Sequence, residues 1–161
     1  ERKIVMENWI DSLIAVLKNY VTCPVTTAWP DVDATFPQVV ISRITGEPVL
    51  RQTVLQESRT ETATVLKYAV NTHSVLFQID IFATSSRERD KLFINVLNGL
   101  RSIKVPTINA PILFRRIPFF ESIDEDDAYR FRIDARFWCF EISEATYNLV
   151  IDTQAQIIKE V

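Results

Sequence analysis

Two stretches of the chain carry a clear hydrophobic period. Residues 129–142 alternate over fourteen positions: Tyr129, Phe131, Ile133, Ala135, Phe137, Cys139 and Glu141 take one face, and Arg130, Arg132, Asp134, Arg136, Trp138, Phe140 and Ile142 the other. A period of two is the mark of a half-buried strand, here with a cationic start to its outer face. Residues 74–84 form a second strand, with Val75, Phe77, Ile79 and Ile81 on one side. It feeds without a glycine loop into a helix expected over about 86–101. Ser85 and Glu88 fit a capping box. Leu92, Phe93, Val96, Leu97 and Leu100 make the apolar stripe of that helix. Arg87, Glu88, Arg89, Asp90, Lys91, Asn95 and Asn98 make its wet side.

An earlier helix is expected over 8–20, with Trp9, Leu13, Val16, Leu17 and Tyr20 on one face, Ile10 and Ile14 widening the stripe, and Asn8 as its cap. Pro24, Pro30 and Pro37 mark 24–37 as a loop. Residues 38–45 are rich in β-branched side chains and predict a strand, punctuated by Gly46, Glu47 and Pro48. Residues 49–57 and 62–70 predict the arms of a long hairpin whose two faces are both partly polar, so burial sets its register weakly. Asn71 to His73 is expected to turn between strands. Pro106, Pro111 and Pro118 forbid a long helix in 103–128, where short edge strands split by proline fit best. Residues 146–152 are expected to extend the sheet, and 153–161 to form a short helix or an arm. The fold class is therefore α+β: a mixed, mainly antiparallel sheet with an N-terminal and a central helix packed on it.

The length of 161 residues fits one domain, and 47% apolar with 24% charged residues is ordinary for a globular chain. A net charge of −3 argues against a general nucleic-acid binder. No apolar run approaches the ~18 residues of a membrane span. Polar Glu7, Asn8, Asp11, Lys18 and Asn19 exclude a signal peptide over 7–20. The first residue is Glu1, so translation starts upstream, or at Met6 behind foreign residues.

Chemistry is sparse. An EF-hand loop begun at Asp124 would place Tyr129 where glycine is needed and Ala135 where glutamate is needed, and one begun at Asp31 fails at Phe36 and Ser42. Zinc spacing of Cys and His is absent, so no metal or cofactor is expected. His73 is the single histidine, Cys23 precedes a proline, and Cys139 lies in a strand with no base beside it in sequence. Two glycines, Gly46 and Gly99, cannot build a phosphate cradle. No enzyme activity is expected. What remains is charge on surfaces. Glu121, Asp124, Glu125, Asp126 and Asp127 put five acids in seven residues. Arg115 and Arg116 stand near Phe119 and Phe120, and Arg130, Arg132 and Arg136 share one strand face. These arginines are expected to pair with the acids, within the fold or across a subunit boundary.

The order of elements resembles the tail terminator and head–tail joining proteins of tailed bacteriophages. The residues that carry the likeness are Phe36 to Ile41, Phe77 to Ala83, Ser85 to Asp90 opening the helix, then Leu92, Val96 and Leu100, and the alternation from Tyr129 to Phe137. The resemblance implies one tail-terminator-like domain over 1–161; the chain departs from the family pattern in its extended hairpin at about 49–70, whose partly polar arms are expected to project, and in an irregular insertion at about 103–128. It implies a ring, usually of six subunits, that caps the tail tube and joins it to the neck. The partners would be copies of itself, tube and neck proteins and a sheath where there is one. DNA would pass through the lumen without sequence-specific contacts. The location would be the virion, reached by assembly in the host cytoplasm. The family has no catalytic residues to carry over. Another neck, tube or baseplate component, or a small enzyme with an unrecognised site, is the alternative.

Overall fold

A computed structural model describes residues 2–31, 34–49, 53–125 and 128–148, with backbone alone for 2–7, 43, 44, 53–55, 68–70, 125, 144 and 145. The fold is α+β and dominated by a six-stranded sheet. In chain order the elements are α1 (Arg2–Leu17), β1 (Val25–Thr26), β2 (Gln38–Val49), β3 (Thr53–Arg59), β4 (Ala63–Ala83), α2 (Ser86–Ser102), β5 (Ile112–Glu125) and β6 (Ala128–Asn148). The strand order is β1-β2-β4-β6-β5, with β3 beside β4 beyond the end of β2. Only β1 and β2 run parallel; the other pairings are antiparallel.

Both helices lie on one face of the sheet, because the odd positions of β4 and β6 supply an apolar floor. Val75, Phe77, Ile79 and Ile81 of β4 and Ile133, Ala135, Phe137 and Cys139 of β6 are all at most 1% exposed. Val39 and Ile41 of β2, Leu13 and Leu17 of α1, and Val96 and Leu100 of α2 close the same core. At roughly 2 kcal/mol for each fully buried aliphatic or aromatic side chain, this layer supplies the main drive to fold. Gly99 lets the helices meet. A Cβ there would stand 2.8 Å from Leu17 Cδ2 and 3.2 Å from Tyr20 Cδ2. Trp9 ties α1 to the sheet by donating its indole N–H to the Phe140 carbonyl at 3.0 Å.

The cap of α2 forms as the sequence predicts, with one change of partner. Ser85 Oγ accepts from the Glu88 amide, while the Glu88 carboxylate accepts from the backbone N–H of Thr84 (3.0 Å) rather than from that of Ser85.

Four sequence expectations are corrected. α1 begins at Arg2, so Asn8 is inside the helix and does not cap it; its carbonyl accepts from Ser12 Oγ. Gly46 to Pro48 do not end β2, which continues to Val49. β1 reaches only Val39 and Val40, so Pro48 lies where β2 is an edge with β4 on one side alone, the setting in which a sheet accommodates proline. Asn71 to His73 is not a turn. The second hairpin arm and the strand at 74–84 are one strand of 21 residues, since each of these polar residues pairs with β6. The 103–128 region holds one strand of 14 residues rather than short pieces. Its register against β6 shifts between Phe114 and Arg116 and again between Arg116 and Phe119, around Pro118. β6 itself runs to Asn148; the expected extension over 149–152 and the tail from Thr153 lie outside the described residues.

A three-stranded ribbon follows from these lengths. β5 begins opposite Cys139, whereas β4 and β6 stay paired as far as Ala63 and Asn148, with β3 on the other side of β4. At ~3.4 Å per residue, the nine steps from Ala63 to Thr72 span about 30 Å. Residues 56–62, which close the β3–β4 hairpin, are exposed.

Candidate interaction surface

The face of the sheet opposite the helices carries the charged residues. Across its rows stand Val40, Asp80, Arg132 and Glu121; then Ser42, Gln78, Asp134 and Phe119; then Leu76, Arg136 and Arg116. Two of its acids are buried. Asp80 is fully buried, with Oδ1 accepting from Arg130 Nε (2.9 Å) and Nη2 (2.6 Å) and Oδ2 accepting from Gln78 Nε2 (2.7 Å). The Arg130 guanidinium lies 4.9 Å from the centre of the Trp29 ring and 5.6 Å from that of Phe82. Trp29 and Phe36 therefore cover this end of the face, with Phe36 stacked on Phe82.

Arg132 donates to both carboxylate oxygens of Asp134 at 3.2 and 3.3 Å. That hydrogen bond, with the nearby charges of Asp134, Asp80 and Glu121, raises its pKa further above the ordinary arginine value. Arg136 donates to Ser74 Oγ at 2.8 Å. Arg115 stacks over Trp138 at 4.0 Å.

The expected pairing of these arginines with the 121–127 acids is corrected only for hydrogen-bonded partners within the subunit, where Glu121 still acts on Arg132 through its charge. Arg130 takes Asp80 and Arg132 takes Asp134, and Asp124 pairs with Arg89 of α2. The sequence pattern puts Arg89 on the wet side of its helix, yet it is 8% exposed. Its stem crosses the β6 aromatics, with the guanidinium 5.7 Å from the Phe131 ring centre and 6.0 Å from that of Tyr129. A long cationic side chain can bury its stem in this way when its head finds a carboxylate. Glu121 to Glu125 are part of β5 rather than a loop, while Asp126 and Asp127 lie outside the described residues.

Phe119 and Phe120 point to opposite faces. Phe119 lies 5.7 Å from Arg132 on the open face, and Phe120 stands 5.6 Å from Phe93 on the helix side. Both remain partly exposed. Arg115 and Arg116 are exposed as well.

The structure brings together one pair that sequence separation hid. His73 is the cross-strand partner of Cys139, so the thiol does stand beside a base, with Glu141 Oε1 at 3.4 Å from His73 Nε2. Cys139 is fully buried in the core, and the His73 ring is covered by Trp9 at 5.2 Å, which leaves no room for a substrate at the sulfur. Cys23 borders an open cleft of about 430 Å³ lined by Tyr20, Ser85, Glu88, Lys91 and Asn95 among others. Burial, reinforced by the Glu88 charge, pushes the Cys23 thiol up, which makes it a poor nucleophile at neutral pH. Among the described residues, no three His, Cys, Asp or Glu side chains are grouped to hold a metal ion, and no helix is long and apolar enough to cross a membrane.

No family model and no curated protein matches the chain. Among solved structures, it is similar to a chain from the virion of a native gene transfer agent particle. The identity is 14% and the TM-score 0.43, over 79% of this chain and 86% of the other. A likeness at that level assigns no function.

Proposed function

We propose that this chain is a non-enzymatic structural subunit of a phage-like virion. In this reading a single domain over 1–161 forms a homomeric ring, of six subunits by the family resemblance, that caps the tail tube and joins it to the neck below the head. The ring assembles in the host cytoplasm, borders any sheath, and lets DNA pass without reading its sequence. The observation that carries the reading is the β3–β4–β6 ribbon, continued past the end of β5 with its closing turn in solvent. A domain gains little internally from carrying about 30 Å of ribbon past the end of β5, whereas a ring subunit can lay it on its neighbour by strand addition or face packing. The second support is the separation of unlike charge on β5 and β6. The proposed interface comprises Arg115, Arg116, Phe119, Phe120, Arg130, Arg132 and Arg136 on the arginine side. On the acidic side it comprises Glu121, Asp124, Glu125, Asp126 and Asp127. Unlike patches on one subunit close into a ring when the rotation between copies permits.

The test is electron microscopy of tail tubes assembled without a cap, before and after addition of this chain. The reading expects a ring at one tube end. Binding along the tube wall would point instead to a tube- or sheath-associated adaptor, and no association would overturn the reading.

A further inference from the structure

Three arginines of the open face have no carboxylate. Arg115 is held over Trp138, Arg136 by Ser74 Oγ, and Arg116 stands opposite Arg136 in register. None of the three makes an ion pair among the described residues. The two register shifts of β5 bracket Arg116, and Arg115 is the residue left over by the first. Bulges of this kind re-aim side chains, here gathering two successive arginines beside a third. Ordered guanidiniums with no anion make a surface suited to carboxylates, which they bind in bidentate fashion.

The chain carries its own complement at the other end of the same strand. Glu121, Asp124 and Glu125 close β5, and Asp126 and Asp127 follow in sequence. Within one copy the two ends cannot meet. β5 is paired to β6 from Ile112 to Glu125, and the nine steps from Arg116 to Glu125 span about 30 Å. Asp124, opposite Tyr129, is on the helix side of the strand and is held by Arg89 with its side chain 58% exposed, whereas Glu121, opposite Arg132, stands on the open face.

We propose that Arg115, Arg116 and Arg136 of one copy bind the acidic end of β5 of a second copy, head to tail. This contact rests on the ring reading above and names the residues that would set its register. Opposed charge at such a contact contributes orientation and partner choice. Arg130 and Arg132, which belong to the same proposed interface, are already paired with Asp80 and Asp134 and so supply contact surface rather than the docking cations.

The experiment measures oligomer mass against concentration by light scattering for three proteins: wild type, Arg115→Glu/Arg116→Glu, and Glu121→Lys/Glu125→Lys. Each variant alone is expected to raise the concentration of half-assembly by at least about tenfold. An equimolar mixture should restore it, since acidic head then meets basic tail and native head meets native tail. Circular dichroism melts check that each variant folds. Should the arginine variant fail to fold, the glutamate variant alone still has to lose assembly. Wild-type assembly that survives both changes, or a mixture that does not recover, overturns the contact and leaves the ring standing. A wild-type chain that never assembles, alone or with tail tubes, overturns both. Loss of binding to a fluorescent DNA duplex in the arginine variant, with assembly unchanged, overturns the contact and assigns these arginines to nucleic acid.

Discussion

Replacing Arg130 by methionine should be among the most damaging single changes at the surface of this protein. Asp80 has no exposed area, and Arg130 supplies two of the three hydrogen bonds to its carboxylate. Removing one partner of such a pair leaves a charge out of water with one hydrogen bond, from the Gln78 amide, and the more distant charge of Arg132 to meet it. Breaking buried pairs costs about 3–5 kcal/mol. The Arg130 side chain is 19% exposed, which places the expected loss near the lower end of that range, about 3 kcal/mol. The contacts over Trp29 and Phe82 add about 0.5–1 kcal/mol, since both rings lie within 6 Å. Urea denaturation followed by tryptophan fluorescence reads this directly. The diagnostic comparison is with the double variant Asp80→Ala/Arg130→Met. Taking away the carboxylate as well removes the unpaired charge, so the double variant should be more stable than Arg130→Met alone. A loss below about 1 kcal/mol in the single variant, or a double variant that loses the plain sum of both changes, would refute the argument that the pair is buried and coupled.

Three further outcomes follow from local packing. Gly99→Val should cost about 1–3 kcal/mol in the same urea assay, because the new side chain must displace Leu17, which is fully buried. Ser85→Ala removes the acceptor for the Glu88 amide and should cost about 1 kcal/mol, with Ser85→Asp close to wild type. Native-state alkylation should modify Cys23 and spare Cys139. The rate at Cys23 should keep rising at pH values where an ordinary thiol has levelled off, because its folded pKa is raised. By linkage, the neutral thiol contributes stability that is complete below the unfolded pKa and is lost as pH rises through the higher folded one.

The elements legible in the sequence were those with an uninterrupted period. β6 alternates without a break from Tyr129, and α2 carries a full apolar stripe behind a serine cap. β4 was divided because Asn71 to Ser74 are polar. They are nonetheless strand, since pairing with β6 throughout and with β2 from Thr72 onward overrides local preference. β5 does not read as one strand in the sequence for a different reason. Its inward residues are Ile112, Phe114, Ile117 and Phe120, so each register shift stretches the spacing from two to three and the alternation dissolves. The charged surface was legible in kind and not in pairing. The cations of β6 were visible, but their anions are Asp80 and Asp134, and the acid Asp124 found Arg89 35 residues away. One signal was available: Asp80 is the only charge in the apolar run from Val75 to Ala83, and a charge at such a position needs a partner.

The central proposal, a ring-forming subunit, is tested most directly by native mass spectrometry of the purified chain, alone and with tail tubes, across a wide range of concentration. The account predicts a closed assembly at six times the 18.6 kDa chain mass. A single-chain mass at every concentration, with and without tubes, would contradict it.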